Sequence, residues 1–153
     1  MSEVNKQKLQ QASEYLRDNN IDLWLIFASE GSDPAVKLLT GLKTVGRTAF
    51  LITKENKKYA VCSIIDAQES EESGLFDQVY KYQNNLPEVL KQLIEKLNPN
   101  KIAINYSVDD NLCDGLTVGR YRWLKKNIGL EICKKFVSSE KILQKIRSIK
   151  TPK

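Results

Sequence analysis

Among the residue types that commonly carry out catalysis or bind metals, histidine is missing from this sequence. Histidine is the commonest general base, a common metal ligand and the usual partner in a catalytic triad. The three cysteines, Cys62, Cys113 and Cys133, are far apart and form no C-x-x-C pair, so they predict neither a zinc site nor a disulfide framework. These residue types argue against a self-sufficient zinc hydrolase or Ser-His-Asp enzyme.

Glycine and aspartate patterns point the same way. The seven glycines are dispersed, and the sequence has no G-x-G-x-x-G, P-loop or G-x-S-x-G motif. The tightest acidic cluster is Asp109-Asp110 with Asp114, which could hold a hard cation. Its spacing is not that of an EF-hand, and aspartates of this kind commonly form turns or helix caps. We therefore favour a structural role for this cluster.

The segment from Ser29 to Arg47 is the strongest candidate for function, because it is a long, largely polar stretch between buried strands. Asp33 is predicted to cap a short helix that starts at Pro34. Arg47 comes just before a predicted strand, and its planar guanidinium suits a carboxylate. The alternative for Arg47 is a surface arginine that closes a weak ion pair.

Composition and charge limit the partners. At 153 residues the chain suits one domain, and its net charge of +5 raises the question of nucleic-acid binding. The lysines, however, are scattered and not interleaved with aromatic residues, which favours a solvated surface. No apolar run approaches the length of roughly 20 residues that spans a bilayer, and the first residues do not resemble a signal peptide. We expect a cytoplasmic protein.

Hydrophobic periodicity predicts alternating helices and strands. Predicted strands are Leu23–Phe27, Ala49–Thr53, Lys58–Cys62, Asp77–Lys81, Lys101–Asn105 and Leu130–Cys133. Predicted helices cover Val4–Asp18, Pro34–Leu39, a segment opened by the capping spacing of Asp66 and Glu69 and ended at Gly74, the run from Asn85 to Leu97, Thr117–Asn127, and a last helix marked by Ile142, Leu143, Ile146 and Ile149.

The connections between these elements predict the fold class. Only four residues separate the second and third strands, which is too short for a crossover helix, so these strands should form an antiparallel hairpin. Helices between most other strands favour parallel neighbours. We predict a single three-layer α/β/α sandwich with a mixed sheet of about six strands, covered on both faces.

Several stretches, in order, resemble the amino-terminal domain of the creatinase/aminopeptidase P/prolidase family, and of its Xaa-Pro dipeptidases in particular. The segment Phe136–Pro152 is similar to the family's junction between domains, in which a valine and two small residues lead into a helix that ends at Arg-x-Ile-Lys-Ser-Pro. Leu38–Leu42 resembles its Leu-Thr-Gly loop, and Gly46–Ile52 and Asp22–Phe27 resemble two of its strands.

The resemblance implies a ribonuclease-H-like fold and a longer parent protein. Residues 1–137 would be the amino-terminal α/β domain, and residues 138–153 the helix and the start of a linker to an absent catalytic "pita-bread" domain. In the family that domain holds two divalent metal ions, for which Mn, Co and Zn are candidates, and cleaves peptide bonds before proline. This chain would then be no enzyme by itself and would hold no cofactor, whereas its parent would be a metal-dependent Xaa-Pro peptidase.

The resemblance also implies partners and site residues. The partners are the chain's own catalytic domain and a second copy in a homodimer, with a peptide substrate only in the parent, and neither nucleic acid nor membrane. Catalytic and metal-binding residues are expected to be absent, and the candidates for the substrate pocket or the domain interface are Asp33, Thr40, Gly41 and Arg47. The alternative is a stand-alone α/β module that binds a small molecule or peptide, and a basic nucleic-acid binder is a third reading.

Overall fold

A computed structural model describes residues 3–148 of the chain. Helices and strands alternate along most of this length. The elements are α1 (Glu3–Asp18), β1 (Leu23–Ala28), α2 (Pro34–Thr40), β2 (Thr48–Thr53), β3 (Lys58–Ser63), α3 (Ile64–Glu72), β4 (Gln78–Tyr82), α4 (Leu86–Leu97), β5 (Ile102–Ile104), a 3₁₀ turn (Asn111–Cys113), α5 (Val118–Ile128), α6 (Leu130–Cys133), β6 (Phe136–Ser138) and α7 (Glu140–Ser148).

The strands form one mixed six-stranded sheet in the order β4-β3-β2-β1-β5-β6. The predicted hairpin is confirmed, since β2 and β3 pair antiparallel with Ala49 opposite Val61. Strand β1 pairs antiparallel with β2 and parallel with β5. The pairs β3–β4 and β5–β6 are also parallel. Strands β1, β3, β4, β5 and β6 therefore end at one edge of the sheet, where β2 begins, and we call it the carboxyl edge.

Side chains of the central strand divide the core into two layers, because successive residues of a strand point to opposite faces. Trp24 and Ile26 face a cluster formed with α1, α2 and α7. Leu25 and Phe27 face a second cluster formed with α4 and α5. The sheet is thus covered on both faces, and the predicted three-layer α/β/α class is confirmed.

Helices α1 and α7, the first and last of the described residues, pack against each other. Both lie on the same face of the sheet, and their apolar stripes join one buried cluster that includes Leu9, Leu16, Ile142 and Ile146. The predicted last helix is therefore part of the domain's core up to Ser148. The predicted continuation of this helix to Ile149, and the segment 150–152 used in the resemblance, lie outside the described residues.

The prediction of a sixth strand at Leu130–Cys133 was wrong. These residues form a single helical turn, α6, in which the Lys134 N–H donates to the Leu130 carbonyl at 2.9 Å. The sixth strand comes three residues later, at Phe136–Ser138, and pairs with β5. Four residues are too few for periodicity to separate a helical turn from a strand.

Helix α3 begins earlier than the sequence indicated. The cap is Ser63, whose hydroxyl accepts a hydrogen bond from the Asp66 N–H, and the helix starts at Ile64. The pair Ser63 and Asp66 has the spacing of a capping box one turn upstream of the predicted one. Gly74, at φ +70°, follows the end of this helix as predicted.

Candidate functional site

The carboxyl edge gathers the loops that follow the strands. The loop after β1 and the segment before β2 lie side by side there, because Ala28 pairs with Thr48. The residues after β5 lie on the other side of the loop after β1, since β5 is the other neighbour of β1. Ligands of open α/β sheets bind at this edge, so the candidate segment from Ser29 to Arg47 has the position expected of a functional loop.

The end of this segment is fastened to the sheet. The Asp66 carboxylate accepts hydrogen bonds from the backbone N–H groups of Val45 and Gly46, both at 3.0 Å. The Tyr82 hydroxyl donates to the Arg47 carbonyl at 2.6 Å, and burial raises the pKa of Tyr82. The segment 43–47 is therefore preorganised, while the Val45 side chain stays 62% exposed.

The Arg47 side chain lies on the face of the sheet that α4 and α5 cover. Its guanidinium carbon is 5.8 Å from the centre of the Trp123 ring, and that ring packs against Phe27 with 5.0 Å between centroids. No carboxylate within residues 3–148 forms a salt bridge with Arg47. A guanidinium held on an indole without an acidic partner is suited to a planar anion such as a carboxylate.

A second guanidinium lies close by. Arg120, in the first turn of α5, donates through Nη2 to the Ser29 hydroxyl at the end of β1. By the β1–β2 register, Ser29 comes next to Arg47 in the neighbouring segment. Within residues 3–148 Arg120 also forms no salt bridge. This part of the edge therefore carries two positive charges without a matching acid.

Asp33 has a different environment, because its side chain is buried under the opposite face. Its Oδ1 accepts from the Ala35 N–H at 2.9 Å, which is the predicted cap of α2. Its Oδ2 accepts from the Asn105 amide at 2.7 Å. Burial raises the pKa of the Asp33 carboxyl, although both hydrogen bonds oppose that rise.

Asn105 links Asp33 to two further elements. Its Oδ1 accepts from the Trp24 indole N–H at 2.7 Å and from the Ser139 hydroxyl. Since Ser139 directly precedes α7, this polar network joins β1, β5, and the starts of α2 and α7. All four side chains are buried, so the network fixes these elements relative to one another.

Gly115 completes the surroundings of Asp33. A Cβ at Gly115 would lie 2.1 Å from the Asp33 Oδ1, closer than atoms can approach. The glycine is thus required by close packing of backbone against a carboxylate, a role distinct from a phosphate loop. Neither Asn105 nor Gly115 was singled out from the sequence, because their partners are distant along the chain.

Thr40 and Gly41 form the end of helix α2. The Thr40 hydroxyl donates to the Val36 carbonyl at 2.6 Å and accepts from the Leu42 N–H at 3.1 Å. Gly41 has φ +69°, and its N–H donates to the Lys37 carbonyl. Both residues build a left-handed helix end, for which glycine is favoured. Their structural effect is to set the direction of the chain toward Arg47.

The four sequence-predicted site residues therefore share one edge without converging on one pocket. Asp33 borders a groove of about 600 Å³ whose walls include Gly31, Lys37, Leu42 and Lys43. The Thr40 side chain is buried. Arg47 stacks on Trp123 in the other layer.

Metal binding does not fit the described residues. Within residues 3–148 no three histidine, cysteine, aspartate or glutamate side chains come together at a distance that could hold an ion. Asp110, from the predicted acidic cluster, instead accepts from Gln144 at 3.0 Å and from Arg147 at 2.9 Å on α7. Its companion Asp114 accepts from the Ser107 N–H at 3.1 Å. The donor set of a dinuclear centre is not found in this part of the chain.

Exposed apolar side chains concentrate at the carboxyl edge. Val108 is 91% exposed, and several other large apolar residues of this edge are also exposed. The group consists of Val45, Ile64, Ile65, Tyr106, Val108, Leu112 and Val118. No helix of residues 3–148 is long and apolar enough to cross a membrane.

The six-stranded mixed sheet with helices on both faces is the architecture of a known class of α/β domains. Residues 8–149 match the family described as the creatinase/prolidase N-terminal domain. Because this match covers most of the chain, the chain belongs to that family. The resemblance inferred from Leu38–Leu42 and the closing segment is thereby confirmed. No curated protein sequence matches the chain.

Solved structures show the same fold. An Xaa-Pro dipeptidase from Bacillus anthracis is 16% identical with a TM-score of 0.70, over 96% of this chain and 37% of that one. The creatinase/prolidase N-terminal domain of a Streptococcus pyogenes X-Pro dipeptidase is 15% identical with a TM-score of 0.68, over 92% and 98%. An X-Pro aminopeptidase from Thermotoga maritima is 19% identical with a TM-score of 0.70, over 91% and 36%. The chain thus spans about a third of the length of two of these relatives.

Proposed function

We propose that this chain is the non-catalytic amino-terminal domain of a proline-specific metallopeptidase, either an Xaa-Pro dipeptidase or an aminopeptidase. In this proposal residues 138–153 lead into a catalytic domain that holds two divalent metal ions, Mn, Co or Zn. The amino-terminal domain supports a homodimer in the cytoplasm and shapes the substrate pocket. The family match over residues 8–149 supports the parentage.

One observation carries the assignment of a pocket role, namely the position of Arg47. Its segment is fastened by Asp66 and Tyr82, and its guanidinium rests on Trp123 without an acidic partner. A preorganised cation loses little entropy when it binds an anion. The carboxyl terminus of a short peptide is such an anion, so Arg47 is suited to a substrate held against this edge by the catalytic domain.

The first test uses the 153-residue chain alone. Purified chain is mixed with an Xaa-Pro dipeptide and, in turn, with Mn²⁺, Co²⁺ or Zn²⁺, and release of proline is measured. We expect no turnover, because within residues 3–148 no side chains assemble a metal centre. Metal-dependent hydrolysis by this chain would refute the proposal. Reading the source gene beyond the codon for Lys153 tests the parentage, since a reading frame with spaced aspartates, a histidine and glutamates is expected.

The second test addresses the pocket role in the longer protein that this frame encodes. Replacing Arg47→Ala removes a charged hydrogen-bond donor, so we expect KM for an Xaa-Pro dipeptide to rise about tenfold with little change in kcat. Lys126→Ala is the control, because Lys126 is an exposed cation of α5 that is not held over Trp123 and lines neither of the grooves described for this edge. Equal kinetics for the two variants would contradict the role of Arg47.

A stand-alone binding module is the second candidate. The groove of about 600 Å³ beside Asp33 has the volume of a ligand site, and Lys37 and Lys43 supply positive charge at its walls. Carboxylates, short peptides and nucleotides are screened against the chain by thermal shift, since a ligand that binds the folded state raises the melting temperature. A saturable rise that is lost in Lys37→Ala would favour this candidate over the peptidase domain.

A further inference from the structure

A second groove lies beside the outermost strand β6. It has a volume of about 430 Å³ and is lined by aromatic and aliphatic side chains with one carboxylate. We call it the β6 groove, and its walls include Ile104, Tyr106, Asp114, Val118, Tyr121 and Phe136. Volume and lining are those of a site that binds an apolar group and orients it by a few polar contacts.

Strand β6 gives this groove a free edge. Within residues 3–148 the strand Phe136–Ser138 pairs only with β5, so its outer side is open to a further strand. An extended peptide adds to such an edge through main-chain hydrogen bonds and places alternate side chains in adjacent pockets. The opposite edge strand, β4, carries the exposed ion pair of Lys81 with Glu71, a feature that discourages strand addition.

Apolar surface beside β6 is left uncovered by the described residues. The Val118 side chain is 68% exposed, and Tyr106 and Tyr121 are more than one-third exposed. The Tyr121 ring packs at 6.4 Å from Phe136, so the two rings form one aromatic wall above the strand. A side chain that projects from an added strand would cover this wall.

A carboxylate in the groove lining and an ammonium group beside its Tyr121 wall set the direction of a bound peptide. Asp114 lies at the carboxyl edge, where it accepts from the Ser107 N–H. Lys125 lies one turn further along α5, with its ammonium 5.6 Å from the Tyr121 ring. Neither forms an ion pair within the described part of the chain. A peptide with its amino group at Asp114 and its later carbonyls toward Lys125 would run antiparallel to β6.

We propose that the β6 groove binds the free amino-terminal end of an extended peptide, which adds as an antiparallel strand to the outer edge of β6. Asp114 receives the terminal ammonium group. The aromatic wall of Tyr121 and Phe136 takes an apolar side chain near that end. This binding activity does not depend on the proposed peptidase parentage, since every group it uses lies in the described chain.

The test uses the 153-residue chain, labelled with ¹⁵N, and the tetrapeptide Val-Phe-Val-Thr amide with a free amino group. Amide resonances are followed by NMR during a titration into the millimolar range. We expect saturable shifts at the backbone N–H groups of Phe136, Val137 and Ser138 and at Tyr121. The N-acetylated peptide should bind about tenfold more weakly, because it lacks the charge that Asp114 pairs with.

Variants separate the groove from a general effect of charge. Asp114→Asn keeps an oxygen acceptor for the Ser107 N–H and should weaken binding of the free peptide about tenfold. Asp109→Asn is the matched control, because it removes an exposed carboxylate of the same loop outside the groove lining and should bind normally. Tyr121→Ala should weaken the free and the acetylated peptide by the same factor.

Results of three kinds would overturn the proposal. The first is the absence of saturable shifts at Phe136–Ser138. The second is a set of shifts confined to other regions, such as segment 43–47. The third is equal affinity of the free and acetylated peptides, or of the Asp114→Asn and Asp109→Asn variants. Circular dichroism of each variant establishes that it is folded before the titration.

Discussion

Gly115 and Gly119 are four residues apart, yet a methyl group would meet different surroundings at each. At Gly115 it would lie 2.1 Å from the Asp33 carboxylate, whereas at Gly119 it would meet no atom within 4 Å beyond the neighbouring residues and the backbone of its own helix. We expect Gly115→Ala to lower the free energy of unfolding by about 3 kcal/mol, or the melting temperature by roughly 6–12 °C. Denaturant unfolding followed by circular dichroism measures the loss.

The matched variant is Gly119→Ala in helix α5. Alanine is the better helix former, so stability should be unchanged or raised by up to about 1 kcal/mol. Equal destabilisation in both variants would mean that the contact of Gly115 with Asp33 does not control the effect.

The environment of Asp110 predicts how the stability of the domain depends on pH. A hydrogen bond from Gln144, with further ones from Cys113, Leu112 and Arg147, lowers the pKa of its carboxyl from 3.8 to about 2. A carboxyl whose pKa is lower in the folded state stabilises the fold above its unfolded pKa, and this contribution is lost as the pH falls. Asp110→Asn should therefore make unfolding less dependent on pH between about 4 and 2.

Unfolding by denaturant at several pH values in this range provides the measurement. Asp109→Asn is the control, since Asp109 is an exposed neighbour. If wild type, Asp110→Asn and Asp109→Asn lose stability in parallel on acidification, the contacts of Asp110 with α7 are not responsible.

The role of a single residue could be predicted from the sequence only where its hydrogen-bond partner lies a few positions away in the chain. The cap by Asp33 followed from the adjacent Pro34, and the hydrogen bond to the Ala35 N–H is observed. The contact of Asp33 with Asn105 joins residues 72 positions apart. No local pattern marks such a pair, because strand pairing brings it together.

At the scale of elements, helix α3 and segment 43–47 should respond together to a change at Asp66. Asp66→Ala removes the acceptor for the Val45 and Gly46 N–H groups and for the Ser63 hydroxyl. We expect stability to fall by about 2 kcal/mol, and amide hydrogen exchange at Val45 and Gly46 to accelerate. Exchange measured by NMR separates this local effect from global unfolding.

Glu69→Ala serves as the control on the same helix, one turn further on, where the side chain is exposed. It should leave exchange at Val45 and Gly46 at the wild-type rate. If Asp66→Ala also leaves that rate unchanged, the Asp66 carboxylate is not what holds segment 43–47 in place.

Elements were predictable from the sequence where their apolar residues form a contiguous run or a clear period, as in β5, and not where they do not, as in β6. The hairpin of β2 and β3 was predicted from two five-residue strand segments and the short connection between them, and the antiparallel pairing is observed. Strand β6 was missed because only Phe136 and Val137 are apolar in it, while the neighbouring turn at Leu130–Cys133 has more apolar residues. Pairing with β5, rather than composition, makes Phe136–Ser138 a strand.

For the whole molecule, the two tryptophans test whether both core layers unfold as one. Trp24 belongs to the layer with α1 and α7, and Trp123 packs against the layer with α4 and α5. In Trp24→Phe and Trp123→Phe variants the remaining indole reports on one layer only. We expect the fluorescence and circular dichroism transitions to coincide within each variant, as they do for a two-state domain.

Separate transitions in either variant would show that the two layers unfold independently. Trp24→Phe should also be the less stable of the two, because it removes the donor to Asn105 at 2.7 Å. Trp123 is only partly buried, and its indole N–H has no comparable buried partner within residues 3–148.

The fold class followed from the sequence, because alternating elements and one hairpin leave few arrangements of a sheet. The position of the candidate residues did not follow. Asp33 and Arg47 are close in sequence, but the sheet separates their side chains into opposite layers. The face of the sheet on which the side chain of a loop residue lies depends on the register of β1 and β2 and on the hydrogen bonds to Asp66. Both are contacts between residues that are distant in the sequence.

The contact between α1 and α7 has a consequence for synthesis on the ribosome. Helix α1 is made first, but the side of it that packs on α7 stays uncovered until about 120 more residues have been added. At translation rates of 5–20 residues per second this interval lasts roughly 6–24 s. During this interval the face of α1 that later packs on α7 would be open to chaperones, and a ribosome stalled before Glu140 would hold a domain that lacks its last described core helix.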